Sequence, residues 1–203
     1  MFYLGYVPSF WVRIRCLGAL RQPTRIANTA APAIGFLQRW LPITAIPPAL
    51  TPNPITSGAI FVFWTWLCLA FNDVGAYFGG KRFGKTSLGS VFSATPSPNK
   101  TVEGVIAGCS VSAALAIAGA WVQRWPLPWL TGAFHGVALG LLGLLGDLTA
   151  SVLKRDAGQK DFGNLLPEHG GILDRVDGFV WTAPYSWLIF SYLLPALGWP
   201  VVR

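Results

Sequence analysis

Long apolar runs separated by short polar stretches organise this chain. Four of them, Ile55 to Phe71, Val102 to Val122, Leu127 to Leu148 and Phe179 to Trp199, approach or reach the roughly 20 residues that a helix needs to cross a hydrocarbon core. They are continuous, rich in Ala, Leu and Gly, and lack the two-residue alternation of a barrel strand, so they predict helices. The expected fold is all-α: a polytopic transmembrane helical protein with about four to six membrane helices and its polar loops on one face. Four crossings are the direct reading, and the region Ala27 to Leu50 adds a broken crossing or a re-entrant hairpin.

The beginning of the chain follows other rules. Arg13, Arg15, Arg21, Arg25 and Arg39 precede the first acidic residue, Asp73, and seven prolines between Pro23 and Pro54 break any long helix. An Arg-rich, acid-poor start also fits a targeting peptide. The Phe10-Trp11 pair beside Arg13 favours an interfacial segment instead, with rings at headgroup depth and guanidiniums on anionic lipid. The chain therefore divides into an interfacial or broken-helix segment, 1–54, and a membrane-embedded domain, 55–203.

The runs ending at Val122 and beginning at Leu127 are joined by a tight turn at Arg124-Trp-Pro, which makes them a hairpin. Its far ends return to one side, bringing together two polar loops, Asn72 to Thr101 and Ser151 to Asp177. Both are basic enough to lie on the cytoplasmic or equivalent side. A single crossing at Ile55 to Phe71 would put the Arg-rich start on the opposite face unless Ala27 to Leu50 also crosses.

Composition narrows the class. With 53% apolar and 11% charged residues, ten Trp and a net charge of +7, the chain is neither disordered nor an ordinary soluble domain. Cys16, Cys68 and Cys109 are widely spaced and suggest neither a zinc site nor a redox motif. Charge is unevenly spread: six of the eight carboxylates fall between Asp147 and Asp177, together with Lys154, Arg155, Lys160 and Arg175. Partly desolvated ions are costly unless paired, hydrated or bound to metal, so this island marks a functional site.

If the helix ending near Arg155 continues inward to Asp147, then Asp147, Ser151, Lys154 and Arg155 fall on one face. A carboxylate at the membrane end of such a helix is a hard oxygen ligand suited to magnesium, which takes few protein carboxylates alongside waters and phosphates. Asp174 and Asp177, at the start of the last helix, offer a second cluster where a helix N-terminus also favours anions. Between them, His169-Gly170-Gly171 permits close approach of backbone amides to a ligand. Cations around that turn and carboxylates on both sides fit a metal-bound polyphosphate. In the earlier loop, the glycines and cations from Asn72-Asp73 to Gly84-Lys85 fit either a lipid-headgroup patch or a nucleotide role. Thr101 is a candidate helix cap, and Lys100 and Glu103 stand at the mouth of the next crossing, to hold substrate or each other.

These residues resemble a known family. Ser151-x-x-Lys154-Arg155, Lys160-Asp161, His169-Gly170-Gly171 and Asp174-Arg175-x-Asp177 are similar to the signature of the phosphatidate cytidylyltransferases, also called CDP-diacylglycerol synthases. Asn72-Asp73 to Gly84-Lys85, Ser97 to Gly104 and Gly146-Asp147-Leu148 resemble further family segments, and Gly5 to Arg13 is similar to cyanobacterial and plastid-type members. The chain departs from that pattern at Ala150, Asn99 and Val102, where members commonly carry Glu, Lys and Trp, and it is expected to be shortened at its N-terminus.

The resemblance implies transfer of a cytidylyl group from CTP to phosphatidate, releasing pyrophosphate. It implies Asp147 and Asp174 as ligands of a divalent metal, Mg2+, with Asp177 close by. Lys154, Arg155, Lys160 and Arg175 go to the triphosphate and Asp161 stands with them; His169, Gly170 and Gly171 form the nucleotide turn, Ser151 supports it, and Lys100 and Asp73 lie at its edge. The implied partners are CTP, phosphatidate and membrane lipid, with room for a homodimer and no nucleic acid, in a bacterial inner membrane or a plastid membrane. Two alternatives stay open. A CTP-dependent polyprenol or phytol kinase would share the metal carboxylates but need a base for its alcohol, and a transporter would place its polar groups near the midplane.

Overall fold

A computed structural model describes residues 9–16, 57–91, 100–159, 171 and 173–199. These form helices α1 (Ser9–Cys16), α2 (Ser57–Phe83), α3 (Leu88–Val91), α4 (Val102–Val122), α5 (Pro128–Asp156) and α6 (Leu173–Leu188). Helix α6 continues through a π-helical turn, Ile189–Leu193, into α7 (Leu194–Ala196). Three helices, those containing Gly58–Phe83, Val102–Val122 and Pro128–Asp156, are long and apolar enough to cross a membrane. The all-α expectation holds, and the described residues contain no strand. The boundary at residue 54 and the region Ala27 to Leu50 lie outside the described residues.

Helix α2 runs well past the expected end at Phe71, so Asn72 to Phe83 is helix rather than loop. Its glycines explain the difference. A Cβ on Gly79 would lie 2.3 Å from the Ala107 Cβ, and one on Gly108 would lie 2.7 Å from the Asn72 carbonyl oxygen. Small residues on α2 and α4 let the two backbones approach closely, which stabilises membrane helices where the hydrophobic effect does not act between them. That packing outweighs the low helix propensity of a glycine-rich sequence.

Helices α4 and α5 form the expected hairpin. Arg124 and Leu127 adopt left-handed φ values of 57° and 48°, and Pro128 begins α5, where its missing N–H costs nothing. Gly132, Gly136 and Gly140 recur every fourth residue along the α5 face that meets α4; a Cβ on Gly136 would lie 2.5 Å from the Ala113 Cα. Ser112 Oγ donates to the Gly136 carbonyl at 2.9 Å, a polar tie between the two spans.

Helix α6 packs on the polar end of α5, where a Cβ on Gly146 would lie 2.4 Å from the Asp177 carbonyl oxygen. Toward the hairpin turn, an aromatic core gathers Phe61, Trp125, Phe190 and Trp199, and Trp199 Nε1 donates to the Gln123 carbonyl at 3.1 Å. Helix α1 joins this bundle. Trp11 is buried, packs edge-on against Trp66, and donates its indole N–H to the Phe179 carbonyl at 3.1 Å. An indole N–H among apolar helices needs an acceptor, and that carbonyl supplies it.

Candidate active site

The site begins with the segment that leads into α4. Leu88 N donates to the Lys100 carbonyl at 2.8 Å and Val102 N to the Thr86 carbonyl at 3.1 Å, an isolated antiparallel pairing centred on Ser87 and Thr101. Thr101 caps α4 as expected, accepting from Gly104 N through its hydroxyl at 3.2 Å. Glu103 turns away from Lys100. Its carboxylate accepts from Thr86 N at 3.1 and 3.2 Å, fastening the same pairing. Lys100 is thereby fixed at the end of α4 and reaches across to α5.

There its ammonium donates to Asp147 Oδ2 at 2.7 Å and forms an ion pair with that carboxylate. Two further carboxylates gather on Asp147. Asp73, on α2, lies within electrostatic reach of both Asp147 and Lys100, and accepts from the buried Asn72 amide at 3.4 Å. Asp177, just ahead of the apolar run that begins at Phe179, comes from α6. Burial, then the neighbouring Asp147 carboxylate, push its carboxyl up to about 7, against a 2.9 Å hydrogen bond from Gly178 N and the charge of Lys154. The close Gly146–Gly178 crossing of α5 and α6 brings Asp147 and Asp177 together.

Beside Asp147 opens a cavity of about 450 Å³ between α2, α4 and α5. Asp73, Tyr77, Lys81, Lys100, Thr101 and Asp147 supply its polar wall, and Gly80, Gly104 and Gly140 also line it. Sequence reasoning missed Tyr77 and Lys81 as wall residues because it treated their segment as a loop. Their i, i+4 spacing, continued back to Asp73, was the available signal.

The expected face Asp147, Ser151, Lys154, Arg155 does lie on one continuous helix, α5. Lys154 is half-buried and within electrostatic reach of Asp177, whereas Arg155 is exposed and Ser151 half-buried. Gly171 is buried. Lys160, Asp161, His169 and Gly170 lie outside the described residues, as do the side chains of Asp174 and Arg175, whose backbone forms the first turn of α6. The convergence of Asp147 and Asp174 on one ion is therefore an expectation about a side chain outside that set. Among the described residues no three His, Cys, Asp or Glu side chains cluster tightly enough to hold a metal by themselves. The donor set nevertheless fits magnesium, since hard carboxylate oxygens of Asp147 and Asp177, within electrostatic reach of one another, suit a cation that brings waters and phosphates with it.

The sequence pattern described as the Cytidylyltransferase family matches residues 4–193. The chain is 40% identical over 200 residues to "Phosphatidate cytidylyltransferase" of Synechocystis sp., an overlap covering 98% of this chain and 62% of that protein. It is 37% identical over 203 residues to "Phosphatidate cytidylyltransferase 4, chloroplastic" of Arabidopsis thaliana, covering 98% and 46%. Against the Bacillus subtilis "Phosphatidate cytidylyltransferase" the figures are 39% over 134 residues, 66% and 48%. The chain thus spans 46% to 62% of the length of these relatives. Cyanobacterial and chloroplast proteins stand among them, as the likeness of Gly5 to Arg13 implied. With nearly its whole length matched and its carboxylates gathered at the polar end of a membrane hairpin, the chain belongs to the cytidylyltransferase family.

Proposed function

We propose that this protein transfers a cytidylyl group from CTP to phosphatidate, yielding CDP-diacylglycerol and pyrophosphate at a bacterial inner membrane or a plastid membrane. The observation that carries the reading is the gathering of Asp73 of α2, Lys100 ahead of α4, Asp147 of α5 and Asp177 of α6 beside a cavity in the membrane bundle. Relatives named for this activity, aligned over 98% of the chain, support it. Nothing comparable favours a polyprenol kinase or a transporter.

The chemistry asks little covalent help of the protein. A phosphate oxygen of phosphatidate is already ionised, so attack on the α-phosphorus of CTP needs no general base, and positioning with charge neutralisation supplies the rate. Asp147, with Asp174 and Asp177, would hold Mg2+. When bound, the ion neutralises triphosphate charge during displacement. Lys100 holds Asp147 in place. Lys154, Arg155, Lys160 and Arg175 bind the triphosphate and the leaving pyrophosphate, with Asp161 among them. His169, Gly170 and Gly171 shape the nucleotide turn, Ser151 supports it, and a homodimer is compatible with the exposed apolar flanks.

The test is a product assay on the purified full chain in detergent. Incubation with CTP and phosphatidate is expected to give CDP-lipid and pyrophosphate; phosphorylated isoprenoid alcohol and CDP, formed when the alcohol is offered, would overturn the reading. Asp147→Asn and Asp174→Asn are expected to fold and to lose at least about 100-fold in turnover, the scale of removing a preorganised charge-stabilising group. Near-normal turnover in either would remove that residue from the metal site.

A further inference from the structure

The cavity carries two cations, and they are not equivalent. Lys100 is committed to Asp147 at 2.7 Å. Lys81, on the α2 wall, has no carboxylate partner among the described residues; its ammonium rests over the ring of Tyr77, one helical turn earlier, 5.9 Å from the centroid. Lys81 is exposed, and so are Tyr77, Phe78 and Phe83 around it, on the flank of a helix long and apolar enough to span a bilayer. A cation that lines the cavity therefore also stands where lipid reaches.

The remaining described cation near the carboxylates lies elsewhere. Lys154 is within electrostatic reach of Asp177, and neither residue lines the cavity. Asp147 thus separates two cation-bearing sides, the cavity with Lys81 and the α5–α6 side with Lys154. In-line displacement at phosphorus puts the attacking and leaving oxygens on opposite sides of the reacting centre. With pyrophosphate departing on the Lys154 side, the attacker arrives from the cavity.

We infer that Lys81 is the binding residue for the phosphate monoester of the lipid acceptor, held by Tyr77 at a lateral opening of the cavity; this rests on the cytidylyl-transfer reading. Lys81 donates to one phosphate oxygen and leaves another free to attack. The new oxygen–phosphorus bond forms to the α-phosphorus of CTP as its bond to the bridging oxygen breaks, and pyrophosphate leaves with the electron pair.

Initial rates of the full chain in mixed micelles, with phosphatidate and CTP varied separately, test this. Lys81→Gln is expected to raise KM for phosphatidate about tenfold, as loss of a charge-assisted hydrogen bond would, and to leave KM for CTP within about twofold. Lys81→Arg is expected to recover most of the loss. A rise in KM for CTP instead, or no change in either, overturns the inference. A second arm omits CTP: short-chain phosphatidate is expected to raise the melting temperature of the wild type more than that of Lys81→Gln. Equal protection of the two proteins, or equal protection by inorganic phosphate, overturns the lipid assignment. A wild type that makes no CDP-lipid sinks the cytidylyl-transfer reading, and the binding arm still decides the place of Lys81.

Discussion

Asp177 keeps its proton to about pH 7 because it is partly buried and faces Asp147. An unfolded chain releases that proton near 3.8, so between these values the folded state binds the extra proton. The stability this group contributes is fully present below the unfolded value and is lost as pH rises through about 7. In the absence of divalent metal, the melting temperature is therefore expected to fall between about pH 5 and about pH 8, and to fall less in Asp177→Asn. Mg2+ held there as proposed would compete with the same proton. Its affinity, followed by calorimetry, is expected to rise with pH and to level above about 7. A flat affinity profile across that range would show that Asp177 does not compete with the ion. The aspartates were readable as candidates from their place in the polar island. That Asp147 is the shared neighbour of Asp73, Lys100 and Asp177 was not, because those residues are far apart in sequence and meet only through helix packing.

Helix crossings at glycine decide whether these residues meet. At Gly146 a methyl group would press on the backbone of Asp177 and Gly178, at 2.4 and 2.9 Å, and backbone cannot swing aside. Gly146→Ala is expected to push α6 off α5, cost about 1–3 kcal/mol of stability, and reduce turnover by parting Asp147 from Asp177. Gly143→Ala is the control: its Cβ would meet only Leu69 Cδ2, at 3.4 Å, which is ordinary contact. Equal turnover in the two variants, measured with folded protein, would show that the α5–α6 distance does not matter. The same logic explains the error over Asn72 to Phe83. Glycines at 75, 79 and 80 beside cations resemble a phosphate-cradling loop, and only the facing Gly104, Ala107 and Gly108 of α4 make them a helix interface.

Across the whole molecule, the hairpin sets sidedness. The basic ends of α2 and α5, at Lys81-Arg82 and Lys154-Arg155, lie with the candidate site, and the turn at Arg124 lies at the other end of both spans. By the positive-inside bias the site end is expected to face the cytoplasm or its equivalent. In a variant lacking the native cysteines, an impermeant thiol reagent is expected to reach Arg124→Cys and Lys85→Cys from opposite sides of sealed vesicles, since both positions are exposed. Labelling of both from one side would refute the hairpin topology. The apolar runs, the tight turn and the crowding of charge into one island are properties of neighbouring residues, so an all-helical membrane protein with its charge gathered at one face was legible without coordinates. Where α2 ends, which carboxylate Lys100 holds, and that Lys81 faces the cavity depend on residues distant in the chain and on backbones brought together at glycine. Helix packing settles them, because a glycine's meaning lies in what stands opposite it.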